Sequence, residues 1–165
     1  MNRIARYLLL VIAGIMPLES FAANGTCTVS ATPHAFGSYS PLSASPVDST
    51  ATISVTCVGI TILFLVTLDV DYTINLSKGG AGSYSPRYMS LLTNHLTYNL
   101  YTDSARSIVW GDGTGGTSTK TGSIHGTGLL FTSVTDNHTI YGRIPGSQNI
   151  SAGAYTDIIT VTVNY

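Results

Sequence analysis

The sequence predicts an all-β chain folded as one β-sandwich, and three observations carry that prediction. Apolar side chains recur at every second position in several short segments. Clusters of Gly, Pro, Ser and Asn separate those segments. No stretch after Ala22 shows the 3.6-residue apolar period of an amphipathic helix. Roughly six to eight short strands punctuated in this way bury their apolar faces most simply as two sheets facing each other across one core.

At the amino end, Arg3 and Arg6 precede an apolar run from Tyr7 to Met16, and Pro17 leads to Ser20-Phe21-Ala22. A basic start, a short apolar centre and a small-x-small ending mark an export signal, with cleavage expected after Ala22. The run falls well short of the roughly 20 residues that cross a bilayer, so no integral membrane span is expected. Residues 1–22 are read as the signal and residues 23–165 as a single domain, long enough for a core of its own.

Cys27 and Cys57 are the only cysteines. In an exported chain an even pair most simply forms a disulfide, here tying the first strand to the next. Cross-linking a loop of that length removes unfolded-state entropy worth roughly 3 to 4 kcal/mol. Along the chain, Ile53, Val55 and Cys57 alternate with Thr52, Ser54 and Thr56; Tyr72, Ile74 and Leu76 alternate with Asp71, Thr73 and Asn75. Leu96, Tyr98 and Leu100 follow the same period, as do Ile140, Gly142 and Ile144. The chain closes on "DIITVTVNY", where Ile159, Val161, Val163 and Tyr165 alternate with Thr160, Thr162 and Asn164, a strand with one buried face. Turn chemistry marks Ser43 to Ser49, Lys78 to Pro86, Gly111 to Gly122 and Pro145 to Gly153. Ile60 to Val70 breaks the alternation with an almost continuous apolar run, expected to be a strand buried on both faces; left exposed, it would need a partner.

Composition narrows the function. Without the signal, Lys78, Arg87, Arg106, Lys120 and Arg143 stand against seven aspartates, a sparse and slightly acidic set with no footprint for nucleic acid or anionic lipid. Gly111 to Gly116 matches GxGxxG, but "TSTKTGSIHG" follows instead of a helix, so the segment reads as a flexible loop and not a phosphate cradle. Trp110 beside it reads as a core residue at a strand end, with a surface aromatic for adhesion as the alternative. The four histidines and seven aspartates form no HExxH or spaced metal cluster, and no GxSxG is present, so no catalytic residue, metal or cofactor is expected. Asp69 and Asp71 share one strand face, yet neighbouring oxygen ligands for a cation are missing from the sequence around them. Asn24, Asn75, Asn137 and Asn149 sit in N-x-S/T triplets, common by chance in a Ser/Thr-rich chain.

The segments "GTCTVSA", "ISVTC", "YTINLS", "LTYNLYTDSARSIVWGDGTGG" and "IYGRIPGSQNISAGAYTDIITVTVNY" together resemble the spore coat protein U domain family, which includes secreted pilin subunits of archaic (Csu-type) chaperone-usher pili. The resemblance implies an immunoglobulin-like sandwich that is incomplete, its final strand missing and supplied in trans. The implied partners are a periplasmic pilus chaperone, an outer-membrane usher and neighbouring pilin subunits, in a role of adhesion and biofilm formation at the cell surface. Ile159, Val161, Val163 and Tyr165 would then wall the donor-strand groove and meet the chaperone, the Tyr165 carboxylate facing its basic residues. Against the family pattern, only Ala23 to Thr26 separate the expected cleavage point from Cys27. Four residues reach roughly 13 Å and show no apolar alternation, so the subunit is expected to accept a strand without donating one, as a tip or capping unit would. The Ile60 to Val70 run then reads as an insertion and, with the Gly111 to Gly122 loop, as a candidate surface contact. The alternative function is a self-standing secreted adhesin or carbohydrate- or surface-binding module.

Overall fold

The computed structural model describes residues 26–61, 67–127 and 130–165. Among these residues lie eight strands, β1 (Thr26–Ala31), β2 (Val47–Thr61), β3 (Thr67–Leu76), β4 (Arg87–Leu91), β5 (Asn94–Tyr101), β6 (Lys120–Thr127), β7 (Leu130–Ile144) and β8 (Val161–Asn164), with a short 3-10 turn at Gly79–Ala81. A five-stranded sheet of order β1-β2-β7-β5-β4 faces a three-stranded sheet of order β6-β3-β8. Neighbouring strands pair antiparallel throughout. This is the expected all-β sandwich of immunoglobulin-like type.

The period-two segments became the inner faces of the sheets. Ile53, Val55 and Cys57 on β2, Tyr72, Ile74 and Leu76 on β3, and Leu96, Tyr98 and Leu100 on β5 are all buried in one shared cluster. Trp110 joins them with no exposed surface, its indole N–H donating to the Ile74 carbonyl at 3.0 Å. The disulfide is formed: Cys27 and Cys57 lie directly opposite each other in the β1–β2 ladder.

Several boundaries differ from the sequence expectation. β2 starts at Val47, inside the predicted Ser43–Ser49 turn, and β6 starts at Lys120, inside the predicted Gly111–Gly122 loop. The rest of that loop is cross-braced, not slack: Gly111 N–H donates to Ser118 O at 2.9 Å, Thr117 Oγ1 donates to Thr114 O at 2.8 Å, and Asp112 Oδ1 accepts from Thr114 N at 2.9 Å. The Thr117 hydroxyl fills the space a side chain on Gly111 would need. Of the Ile60–Val70 run, residues 62–66 lie outside the described residues. In the part that is described, Leu68 is buried while Asp69 is exposed, so β3 buries one face there and not two. β8 is short, and Ile159 precedes it; the approach is held to β3 by a Ser77 N–H donated to Thr160 O at 3.0 Å.

A buried cation ties the loop ends together. Arg87 has no exposed surface; its guanidinium donates to Ser77 O (3.1 and 2.9 Å), Trp110 O (2.7 Å) and Asn99 Oδ1 (2.7 Å), and it lies 4.9 Å from the Tyr84 ring centroid. Backbone carbonyls thus solvate the charge in place of water.

Candidate functional site

Two strand edges define the site. β8 pairs with β3 over Leu76↔Val161 to Thr73↔Asn164, and among the described residues its other edge meets no strand. β1 likewise ends the opposite sheet. Between these two edges the sandwich is open, and a groove runs down to the core.

The groove has two compartments. The smaller, about 310 Å³, has Leu100 and Ile140 at its floor and Ile159 and Val161 on its β8 side. The larger, about 690 Å³, is lined by Leu96, Ile144 and Ile150 and by Tyr39 of the segment that follows β1. His34, Phe36, Met89 and Tyr155 line both.

Local sequence explains why the segment after β1 reaches the groove. Pro33 and Pro41 bound a stretch that forms no ladder, held by Thr32 N–H to Thr52 O (2.9 Å), His34 Nε2 to Ser49 Oγ (2.6 Å) and the Gln148 N–H donated to Tyr39 Oη (2.7 Å). On β7 the inward position between Ile140 and Ile144 is Gly142, and His34 and Phe36 occupy the volume its missing side chain leaves. The Phe36 ring then meets Tyr98 edge-on, with centroids 5.7 Å apart. Burial, and secondly the Arg106 charge, push the His34 imidazole down to about 4, so it is neutral at ordinary pH.

Asp157 braces the β8 side. Its carboxylate accepts from Tyr98 Oη at 2.7 Å and Gly80 N at 2.8 Å, joining the approach to β8 to the groove floor and the 3-10 turn. Burial, aided by that hydrogen bond, raises the Tyr98 phenol far above its usual range, so it remains a donor.

Other polar clusters stitch strands together. Tyr72 Oη donates to Asp136 Oδ2 at 2.5 Å and lies 2.7 Å from His138 Nε2, bridging β3 to β7 across the core. Asp69, weighed above as a cation ligand, instead faces His125 Nδ1 at 2.9 Å across the β3–β6 ladder. Among the described residues no group of three His, Cys, Asp or Glu is arranged to hold a metal ion.

The four residues singled out from the terminal alternation do not share one place. Ile159 and Val161 line the smaller compartment. Val163 is half-buried against the core in register with Ile74. Tyr165 is 66% exposed and borders a separate shallow depression with Asp71 and Gly122, outside the groove. Sequence reasoning missed His34, Phe36, Tyr39 and Asp157. The available sign was Gly142 standing between the apolar Ile140 and Ile144, together with the aromatic, proline-bounded "PHAFGSYSP".

Comparison with known proteins adds the following. The family model described as Spore Coat Protein U domain matches residues 16–162. Protein U of Myxococcus xanthus is 29% identical over 163 residues, 93% of this chain and 79% of that protein. A chain in the crystal structure of the CsuC-CsuE chaperone-tip adhesion subunit pre-assembly complex, from archaic chaperone-usher Csu pili of Acinetobacter baumannii, aligns with a TM-score of 0.51 at 21% identity, over 86% of this chain and 40% of that one. The present chain thus spans about two fifths of that solved chain, and the likeness is one of fold.

Proposed function

The chain belongs to the Spore Coat Protein U domain family, and from that membership we propose that it is a surface-pilus subunit of the chaperone-usher route that accepts a strand from another protein along β8. One observation carries this: an apolar groove opens to the core beside a strand edge that has no partner among the described residues. Such an edge leaves backbone donors and acceptors unpaired and apolar walls wet, and a strand laid into it satisfies both at once. A donor burying four or five aliphatic side chains at roughly 1.5 to 3 kcal/mol each gains more than about 6 kcal/mol before ordering costs.

In this scheme residues 1–22 direct export and residues 23–165 fold in the periplasm. There a pilus chaperone lends the strand through contacts that include Ile159, Val161, Val163 and Tyr165. At the outer-membrane usher the lent strand is exchanged for one from a neighbouring subunit, and the product lies on the cell surface. The solved relative, a chaperone-tip adhesion subunit complex, is in keeping with this order of events. Such a role is structural and asks for no catalytic group. We assign the subunit to the pilus tip, with a part in adhesion and biofilm formation, because Ala23-Asn24-Gly25-Thr26, between the expected cleavage point and Cys27, offers no alternating apolar donor.

Periplasmic co-expression with the pilus chaperone tests the proposal. A stable one-to-one complex, with the subunit alone aggregating or degraded, is expected. A monodisperse monomer that ignores the chaperone would instead favour a self-standing secreted binding module. Long homopolymers grown from the purified chaperone complex would contradict the tip assignment.

A further inference from the structure

His34 and Phe36 stand where the two compartments meet. They are seated in the niche that Gly142 leaves on β7: a side chain there would overlap His34 Nε2 and approach Phe36 Cζ at 2.7 Å. The two rings contact each other with centroids 4.8 Å apart, and Phe36 abuts Tyr98 of the floor. Met89 and Tyr155 also line both compartments. The arrangement is therefore a partition built on a glycine, not a chance narrowing.

Resting on the strand-acceptor function proposed above, we propose that Phe36, backed by His34 and Gly142, determines which strand the groove accepts, by dividing it into two separate side-chain sites. Compartments of about 310 and 690 Å³ each exceed the roughly 150 Å³ that takes a benzene ring, so each admits a bulky side chain. Along a strand, side chains on one face recur about every 6.8 Å. An incoming strand with large apolar groups at positions i and i+4 places one in each compartment, and its i+2 side chain meets the partition. The partner is thus a strand with bulky apolar residues two same-face positions apart and a slim residue between them. A bulky i+2 side chain must displace Phe36 from its niche, and close-packed rings resist that.

Synthetic ten-residue peptides with Ser and Thr on one face provide the probe. Leu stands at i and i+4 on the other face, and either Ala or Phe at i+2; each is added while the disulfide-bonded chain refolds, and affinity is read by fluorescence anisotropy. The wild type is expected to bind the Ala peptide at least tenfold more tightly than the Phe peptide. Phe36→Ala should bring the two within about threefold, and Phe36→Leu, which keeps an apolar plug and guards against misfolding of the first variant, should fall between. Equal discrimination by wild type and both variants overturns the partition while leaving strand acceptance intact. Failure of every peptide to bind the wild type overturns strand acceptance itself, and the partition with it.

Discussion

At the scale of single residues, the molecule half-buries one imidazole and fully buries one cation, and each makes a measurable demand. His34 has its folded value pushed down to about 4 against an ordinary 6.5. Between those values the unfolded chain binds a proton that the folded chain does not, so the stability present above pH 6.5 is lost as pH falls towards 4. Urea midpoints at pH 7.0 and 4.5 should therefore drop further for wild type than for His34→Gln. The lowered aspartates Asp48, Asp103 and Asp112 act below their ordinary 3.8, outside that window. Arg87→Met would strand the Ser77 and Trp110 carbonyls without donors and leave Asn99 Oδ1 with the Leu100 N–H alone. At about 1 to 3 kcal/mol for each buried unsatisfied group, a loss of about 2 kcal/mol or more is expected by urea denaturation, with Arg87→Lys recovering less than half because it lacks the planar fork.

At the scale of elements, the legible strands are those whose large side chains point inward. β2, β3, β5 and β7 carried that pattern plainly, whereas β4 and β6 did not, for specific reasons. β4 begins with Arg87, an inward charge that reads as a surface residue until its carbonyl partners are seen. On β6 the inner face reads Gly122, Ile124, Gly126, because Tyr72 and Leu68 of β3 lie in register with those glycines and supply the bulk for both strands. Gly122→Ala would collide with the Tyr72 hydroxyl and break its bridge to Asp136, so a loss of roughly 1 to 3 kcal/mol is expected in thermal or urea melts. β1 is an edge strand, largely exposed, whose firm attachments are its ladder to β2 and the Cys27–Cys57 bond. The paired substitution Cys27→Ser and Cys57→Ser should cost about 3 to 4 kcal/mol, and hydrogen exchange should quicken at β1 amides more than in the β3–β6 ladder.

At the scale of the whole molecule, a sandwich with a free edge on each sheet leaves its groove between them, and the strand acceptance proposed for the chain would place a partner there. The terminal alternation marked Ile159 and Val161 as inward-facing, and both line the smaller compartment. The opposite wall was hidden because the segment after β1 has no periodic pattern and enters the core only through the vacancy at Gly142, a contact made across 108 residues between His34 and Gly142. Tyr165 shows the converse, since alternation alone does not reveal where a strand leaves the sheet. Hydrogen exchange along Val161–Asn164, compared between the chain freshly refolded in vitro at high dilution and its chaperone complex, is the most direct test of strand acceptance. The alternate amides of β8 that do not face β3 should exchange almost freely in the unbound chain and slow by about a hundredfold or more in the complex. Equal, strong protection in both states would mean that the edge is already closed, and would contradict the account.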